Sequence, residues 1–128
     1  MKKFGNSVLA RVALSAAVTA AVLTVVAGPA NAKSDEWGAI AYSPSTGETG
    51  WGRNYSTKQR AERAAIETCK KSDCKVALNF VNKCGAVAQA RDGSWSIGRG
   101  STKSAANAKA KAAATGRNPQ IKESVCTD

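Results

Sequence analysis

The sequence predicts an α+β fold: a single small disulfide-stabilised domain built from a duplicated ββα(β) unit, with mostly antiparallel sheet and two helices. The first observation is a repeat. WGAIAYS at residues 37–43 is matched by CGAVAQ at residues 84–89, and WGRNYSTK at residues 51–58 by IGRGSTK at residues 97–103. An alanine-rich run with helical spacing follows each pair, and the chain has four cysteines. The two repeats are expected to span about residues 37–82 and 84–126.

The start of the chain is predicted to be a cleaved signal peptide, residues 1–32, and not part of the fold. Lys2, Lys3 and Arg11 make a positive start, an apolar run follows, and Ala-Asn-Ala ends it as signal peptidase requires. A retained membrane anchor is the alternative, but the apolar run is short for a span. We therefore expect residues 33–128 to be a secreted domain without a transmembrane segment, extracellular or associated with the cell envelope.

Strands and turns are read from apolar patterns and turn-forming residues. Pro, Ser, Thr and Gly over residues 43–50 predict a loop, and Asp92-Gly93 predicts a hairpin turn. KVALNFV, residues 75–81, is the most apolar strand, and we place it in the centre of the sheet. The halves are expected to share one sheet or to face each other across a pseudo-two-fold axis. The predicted strands are residues 37–43, 51–55, 74–81, 84–90, 95–100 and 120–126.

Both helices are predicted to bury a face of small residues, mostly alanine. Ser56 and Gln59 fit a capping box at the start of the first helix. Ser101 or Thr102 is expected to cap the second helix, and Gly116 to end it. The predicted helices are residues 57–70 and 103–114.

An even number of cysteines in an exported chain predicts disulfides. Four cysteines allow three pairings. We favour Cys69–Cys74, which closes the turn after the first helix, and Cys84–Cys126, which ties the last strand to the middle of the chain. A metal site is the alternative, but the chain has no His, and four reduced thiolates would not survive export. No metal and no cofactor is therefore expected.

The charge balance is basic. The chain has 19 basic and 9 acidic residues, a formal charge of +10, and loses Lys2, Lys3 and Arg11 with the leader, which leaves +7. Such a domain could be attracted to polyanions. A solvated surface is the plainer alternative, because no run of five or six like charges occurs.

Several enzyme classes are excluded by residue content. Without His, neither a Ser-His-Asp nor a Cys-His mechanism can be assembled. Ser56 and Ser101 lie near lysines but are better explained as helix caps, and no two acidic residues stand out as a facing pair for glycoside hydrolysis. GRGSTKS, residues 98–104, lacks the second glycine of a nucleotide-binding loop. The sequence therefore predicts a protein that is not an enzyme.

Together, several segments resemble the domain of unknown function 4189 family. They are WGAIAYS at residues 37–43, the WGR strand, SDCKV at residues 72–76, KCGAVA at residues 83–88 and the final Cys126. The resemblance covers nearly all of residues 36–127. It implies a small exported protein with disulfides, of a kind frequent in mycobacteria and other actinobacteria. It implies no catalytic or ligand-binding residue.

Five residues are the candidates for binding. Arg53 and Arg99 occur in both copies, and Lys58 and Lys103 follow them at the helix starts. Trp51 has no aromatic counterpart in the second copy, which predicts exposure. The alternative for each arginine is a cap or an ion pair with a nearby acid, and for the tryptophan a place in the core.

The function predicted from these residues is a secreted, monomeric, non-enzymatic binding protein. Its partner would be a protein or an anionic surface polymer, and nucleic acid is not expected. One alternative is an inhibitor of a secreted enzyme that uses the loop over residues 43–50 as an inserted element. A second alternative is a small hydrolase.

Overall fold

The computed structural model describes residues 34–128, so the predicted signal peptide lies outside the described residues. The order β-β-α-β occurs twice, as the repeat predicts. Within residues 34–128 no helix is long and apolar enough to cross a membrane. The elements are β1 (Trp37–Tyr42), β2 (Thr49–Tyr55), α1 (Lys58–Cys69), β3 (Lys75–Val81), β4 (Cys84–Gln89), β5 (Trp95–Gly100), α2 (Lys103–Ala112) and β6 (Gln120–Cys126).

The strands form two antiparallel sheets of three strands each, in the orders β2-β1-β3 and β5-β4-β6. The two halves therefore face each other and do not share a sheet. The prediction that residues 75–81 form a central strand is wrong, because β3 is an edge strand and β1 is central. Leu78 and Phe80 on β3 are buried by the opposite sheet, so a high apolar content here reflects face-to-face packing.

The domain is stacked in the order helix, sheet, sheet, helix, and three apolar layers lie between these elements. The layer between the two sheets contains the largest side chains, and the two helix–sheet layers are made mostly of alanine and cysteine. The layer against α1 consists of Ala39, Ala41, Ala61, Ala65 and Cys69. The layer between the sheets consists of Ile40, Leu78, Phe80, Val87 and Val125. The layer against α2 consists of Cys84, Ala86, Ala88, Ala106 and Ala110.

Glycines let the helices lie directly on the edge strands. A Cβ atom at Gly50 of β2 would collide with the backbone of Cys69 in α1, and one at Gly98 of β5 with the backbone of Ala110 in α2. Both helices therefore pack their backbones against strand backbones, which small residues alone permit. Because so little apolar area is buried in these layers, the interior between the sheets carries more of the hydrophobic stabilisation.

Each helix begins at a threonine cap. Thr57 and Thr102 have extended backbones, and each side chain accepts a hydrogen bond from the amide three residues on, at 3.2 and 3.1 Å. The predicted capping box of Ser56 and Gln59 is therefore displaced by one residue. Thr102 is one of the two predicted caps. Gly116 does not end α2, which stops four residues earlier.

Both predicted disulfides are confirmed. Cys69–Cys74 joins the end of α1 to the start of β3, and Cys84–Cys126 joins the neighbouring strands β4 and β6. All four cysteines are thus paired. Disulfides of this kind are typical of proteins in an oxidising compartment outside the cytoplasm.

Candidate functional site

Arg53 and Arg99 do not form a common basic patch; they lie at opposite edges of the sandwich. Arg53 of β2 donates from Nη1 to the carbonyl of Cys126 in β6, at 3.2 Å. Arg99 of β5 donates from Nε to the carbonyl of Asn79 in β3, at 2.6 Å. In each case the acceptor belongs to an edge strand of the opposite sheet, so each arginine links the two sheets.

This arrangement favours the structural alternative for the two arginines. Arg53 also pairs with a carboxylate, since its Nη1 lies 3.5 Å from Oδ1 of Asp128. Each guanidinium donates a hydrogen bond to an edge-strand carbonyl that could otherwise pair with a strand of another chain. Their presence in both copies is thus explained by architecture, and a binding role has to rest on the residues around them.

Three of the five predicted binding residues meet at one hollow of about 170 Å³, which we call the Trp51 hollow. Trp51 and Arg53 come from β2 in the first half. Lys103 is the first residue of α2 in the second half. The other lining residues are Glu123, Ser124, Val125 and Cys126 of β6. The hollow is therefore built where the two sheets meet, from both halves of the chain.

Hydrogen bonds to α1 fix the backbone of Trp51, and its indole faces solvent. Thr68 of α1 accepts a hydrogen bond from the Trp51 amide at 2.8 Å, and its hydroxyl lies 3.0 Å from the Trp51 carbonyl. The helix thus satisfies both backbone groups at this position on the edge strand, and the side chain remains 42% exposed. The predicted exposure of Trp51 is confirmed.

Glu123 gives the hollow an acidic wall that the sequence did not indicate. Its Oε1 accepts a hydrogen bond from the Thr49 hydroxyl at 3.1 Å, across the junction of the two sheets. Within residues 34–128, Lys103 forms no ion pair. The hollow therefore combines an exposed aromatic, an unpaired ammonium, a paired guanidinium and one carboxylate.

The remaining two predicted residues lie elsewhere. Lys58 is exposed at the start of α1. Arg99 lines a separate hollow of about 310 Å³, together with Trp37, Phe80 and Lys83. Neither residue lines the Trp51 hollow, so the predicted set of five is divided among three places.

The loop between β1 and β2 is short and anchored. It spans residues 43–48, one residue more than the turn over residues 90–94 in the second half. Asp73 accepts hydrogen bonds from the Ser43 hydroxyl at 2.6 Å and the Ser45 amide at 3.0 Å. These bonds, led by the one from Ser43, lower the pKa of Asp73 from 3.8 to about 2. Asp73 is therefore a carboxylate that fixes the loop and cannot donate a proton near neutral pH.

The acidic groups named above have separate roles. Within residues 34–128, no three Cys, Asp or Glu side chains are grouped to hold a metal ion. Glu123 lines the Trp51 hollow, whereas Asp73 lies in the turn between α1 and β3 and holds the loop over residues 43–48.

The fold and this surface define a class: a small disulfide-bonded α+β domain with a shallow mixed hollow between its halves. Its family is shown by sequence. The chain belongs to the family described as Domain of unknown function (DUF4189), whose sequence model matches residues 37–126, and the resemblance stated above is confirmed.

The relatives are mycobacterial. Protein Rv1269c of Mycobacterium tuberculosis and Protein Mb1300c of Mycobacterium bovis are each 47% identical over 75 residues, which are 57% of this chain and 56% of theirs. The chain thus spans little more than half the length of these relatives. The NMR structure of Rv1813c from Mycobacterium tuberculosis is 32% identical, with a TM-score of 0.59 over 89% of this chain and 98% of that one. That similarity supports the small α+β fold.

Proposed function

We propose that this protein is a secreted, monomeric, non-enzymatic binding module whose partner is a protein or an anionic surface polymer. It would act outside the cell or in the cell envelope. The observation that carries the proposal is the meeting of Trp51, Arg53 and Lys103 at one hollow built from both halves. An exposed tryptophan beside an arginine is typical of the residues that dominate binding energy at interfaces.

The size of the hollow supports a macromolecular partner. Its volume of about 170 Å³ is below the range of roughly 300–1,000 Å³ that is usual for small-molecule sites. It could accept one protruding group of a larger partner, with the Trp51 indole covering that group from the side. The positive charge of the secreted part, +7 after loss of the predicted leader, would favour an anionic partner surface.

Affinity capture tests the proposal, with a variant from each half. The oxidised protein is immobilised and exposed to envelope fraction and culture medium, beside an unrelated protein of similar size and charge. We expect Trp51→Ala to lose about tenfold or more of the captured partner. Ile97→Ala is the matched control, because Ile97 takes the same place in the second half and is 37% exposed. Equal loss in both variants, or no capture above the basic control, would contradict the proposal.

Salt separates the two kinds of partner. Binding to a polyanion weakens steeply as the salt concentration rises, because counterions are released on binding. A protein partner seated on Trp51 would respond much less.

An inhibitor of a secreted enzyme is the second candidate, supported by the loop over residues 43–48. Pro44, Ser45 and Thr46 are exposed at its tip, while Ser43 is buried and held by Asp73. A preorganised exposed loop loses little conformational entropy on binding. If this candidate is correct, Asp73→Asn weakens binding and Trp51→Ala does not.

A further inference from the structure

A second surface lies on the exposed side of α1. It is a groove of about 380 Å³, lined by Tyr55, Arg60, Arg63, Ala64 and Glu67, which we call the Tyr55 groove. We propose that the Tyr55 groove binds a phosphate ester of a sugar. It shares no lining residue with the Trp51 hollow, so this proposal does not depend on the proposed function.

The donors in the groove are uncommitted. Arg60 and Arg63 stand about one turn apart on α1, so their side chains lie on the same face. Within residues 34–128, neither forms an ion pair, and no protein group hydrogen-bonds to the Tyr55 hydroxyl. Two planar guanidinium groups and one hydroxyl offer more donors than a single carboxylate can accept. A phosphate ester, with three terminal oxygens and up to two negative charges, satisfies them better.

The helix adds to the preference for an anion. The first turn of α1 contains no acidic residue, although the positive end of the helix dipole favours one there. Lys58 and Arg60 place positive charge at that end, which is unfavourable unless an anion compensates it. A bound phosphate would relieve this local repulsion.

The other walls suit a sugar. Tyr55 is 38% exposed, so its ring can cover one face of a pyranose. Glu67 lies at the other end of the groove, three residues beyond Ala64, where its carboxylate could accept a hydrogen bond from a sugar hydroxyl. The volume of the groove falls in the range of small-ligand sites, in contrast to the Trp51 hollow.

The second half shows that the fold does not need these side chains. The repeat aligns the lining residues of the groove with positions that are mostly glycine or alanine. The equivalents of Tyr55, Arg60, Arg63 and Glu67 are Gly100, Ala105, Ala108 and Ala112. Because α2 packs on its sheet with these small residues, the larger side chains of α1 call for an explanation other than packing.

NMR titration of the oxidised protein with glucose 1-phosphate tests the proposal. We expect saturable shifts of the amide signals from Tyr55 to Ala64. Arg60→Ala/Arg63→Ala should weaken binding by about tenfold or more. Lys109→Ala/Lys111→Ala removes the same charge from exposed positions of α2 and should change affinity by less than about twofold. The arginine variant should stay folded, because α2 carries alanine at both equivalent positions.

Five outcomes would overturn the proposal. Equal loss in the two double variants would show attraction by net charge alone. Shifts that never saturate would show that no site exists. If inorganic phosphate binds as tightly as glucose 1-phosphate, the groove does not recognise the sugar. If glucose produces the same shifts, the groove does not recognise the phosphate. Binding to vesicles of phosphatidic acid, with none to glucose 1-phosphate, would assign the groove to a membrane surface.

Discussion

The two halves of this domain have the same element order but different outer surfaces. On the side facing the helices they agree: Gly52 matches Gly98, and Ala65 matches Ala110. Facing solvent they differ, as where Trp51 in one half stands against Ile97 in the other. Because the chain forms the same scaffold twice, each half serves as a control for the residues of the other half. Residues that both halves keep are explained by architecture, and residues that only one half has are the better candidates for binding.

Arg53 and Arg99 show why the comparison needs a structure. They are matched and partly exposed, which suggests a shared binding role from sequence alone. Their contacts with Cys126 and Asn79 give the matched feature a structural cause instead. The unmatched tryptophan and the unmatched Tyr55 groove are left as the sites to test.

The largest expected effect is on the free energy of unfolding, and it compares equivalent residues of the two halves in the layer between the sheets. Phe80 of β3 is 2% exposed, and its ring fills the space left by Gly38 and Gly85. Phe80→Ala should lower the free energy of unfolding by about 3–5 kcal/mol. Val125 is its counterpart in β6, and Val125→Ala should cost only about 2 kcal/mol, since fewer buried carbons are lost. Urea unfolding of the oxidised proteins measures both, and equal costs would show that the core is shared evenly.

The next largest effect concerns the two disulfides, whose contributions to the free energy of unfolding should differ. Cys84–Cys126 closes 42 residues and Cys69–Cys74 closes 5. From loop entropy, replacing the first pair with alanine should cost about 4 kcal/mol and replacing the second about 2 kcal/mol. Denaturant unfolding of the two double variants checks the order. The reverse order would mean that the short bridge has a further role, such as holding Asp73 against the loop.

The arginine links should give smaller effects. Arg99→Ala should lower the free energy of unfolding by about 1 kcal/mol, and Arg53→Ala by roughly half as much, because the bond from Arg99 is shorter and both groups are hydrated. Thermal unfolding compares the two variants. If Arg53→Ala abolishes partner capture without loss of stability, Arg53 acts as a binding residue in addition to its structural contact.

The smallest effect concerns the loops and depends on pH. The folded pKa of Asp73, about 2, lies below its ordinary 3.8, so its ionised form stabilises the fold above that value, and the contribution is lost as pH falls towards 2. The difference in melting temperature between the wild type and Asp73→Asn should therefore be largest near neutral pH and shrink in acid.

Asp92 provides the matched control in the second half. Hydrogen bonds from the hydroxyl and amide of Ser94 also lower the pKa of Asp92. These bonds span two residues, whereas those of Asp73 reach 28 and 30 residues along the chain. Asp92→Asn should therefore change the melting temperature less than Asp73→Asn, and a larger change would contradict this account of the loop.

Local features of the fold could be predicted from sequence. The two ββαβ units, the disulfide pairing and the exposure of Trp51 follow from short-range patterns and from a repeat that fixes the register between halves. Thr57 caps α1 in place of the predicted Ser56. Both residue types suit an N-cap, so the sequence cannot choose between them and the backbone geometry decides.

Contacts between distant strands could not be predicted. The apolar content of residues 75–81 predicts burial but does not show whether neighbouring strands or a facing sheet provide it, so it cannot tell the edge position of β3 from a central one. For the same reason Glu123 was missed as a wall of the Trp51 hollow, and Thr68 as the residue that satisfies the Trp51 backbone. The contact between β2 and β6 of the opposite sheet leaves no signal in either segment.

The glycines under the helices restrict how such a protein can diverge. At Gly50 of β2 and Gly98 of β5, the side facing the helix accepts no larger residue, because helix backbone already fills the space. Mutation is therefore free to act on the outward side of these strands and on the solvent face of each helix. Surface substitution can therefore change the exposed face of one half without altering how either helix packs on its sheet.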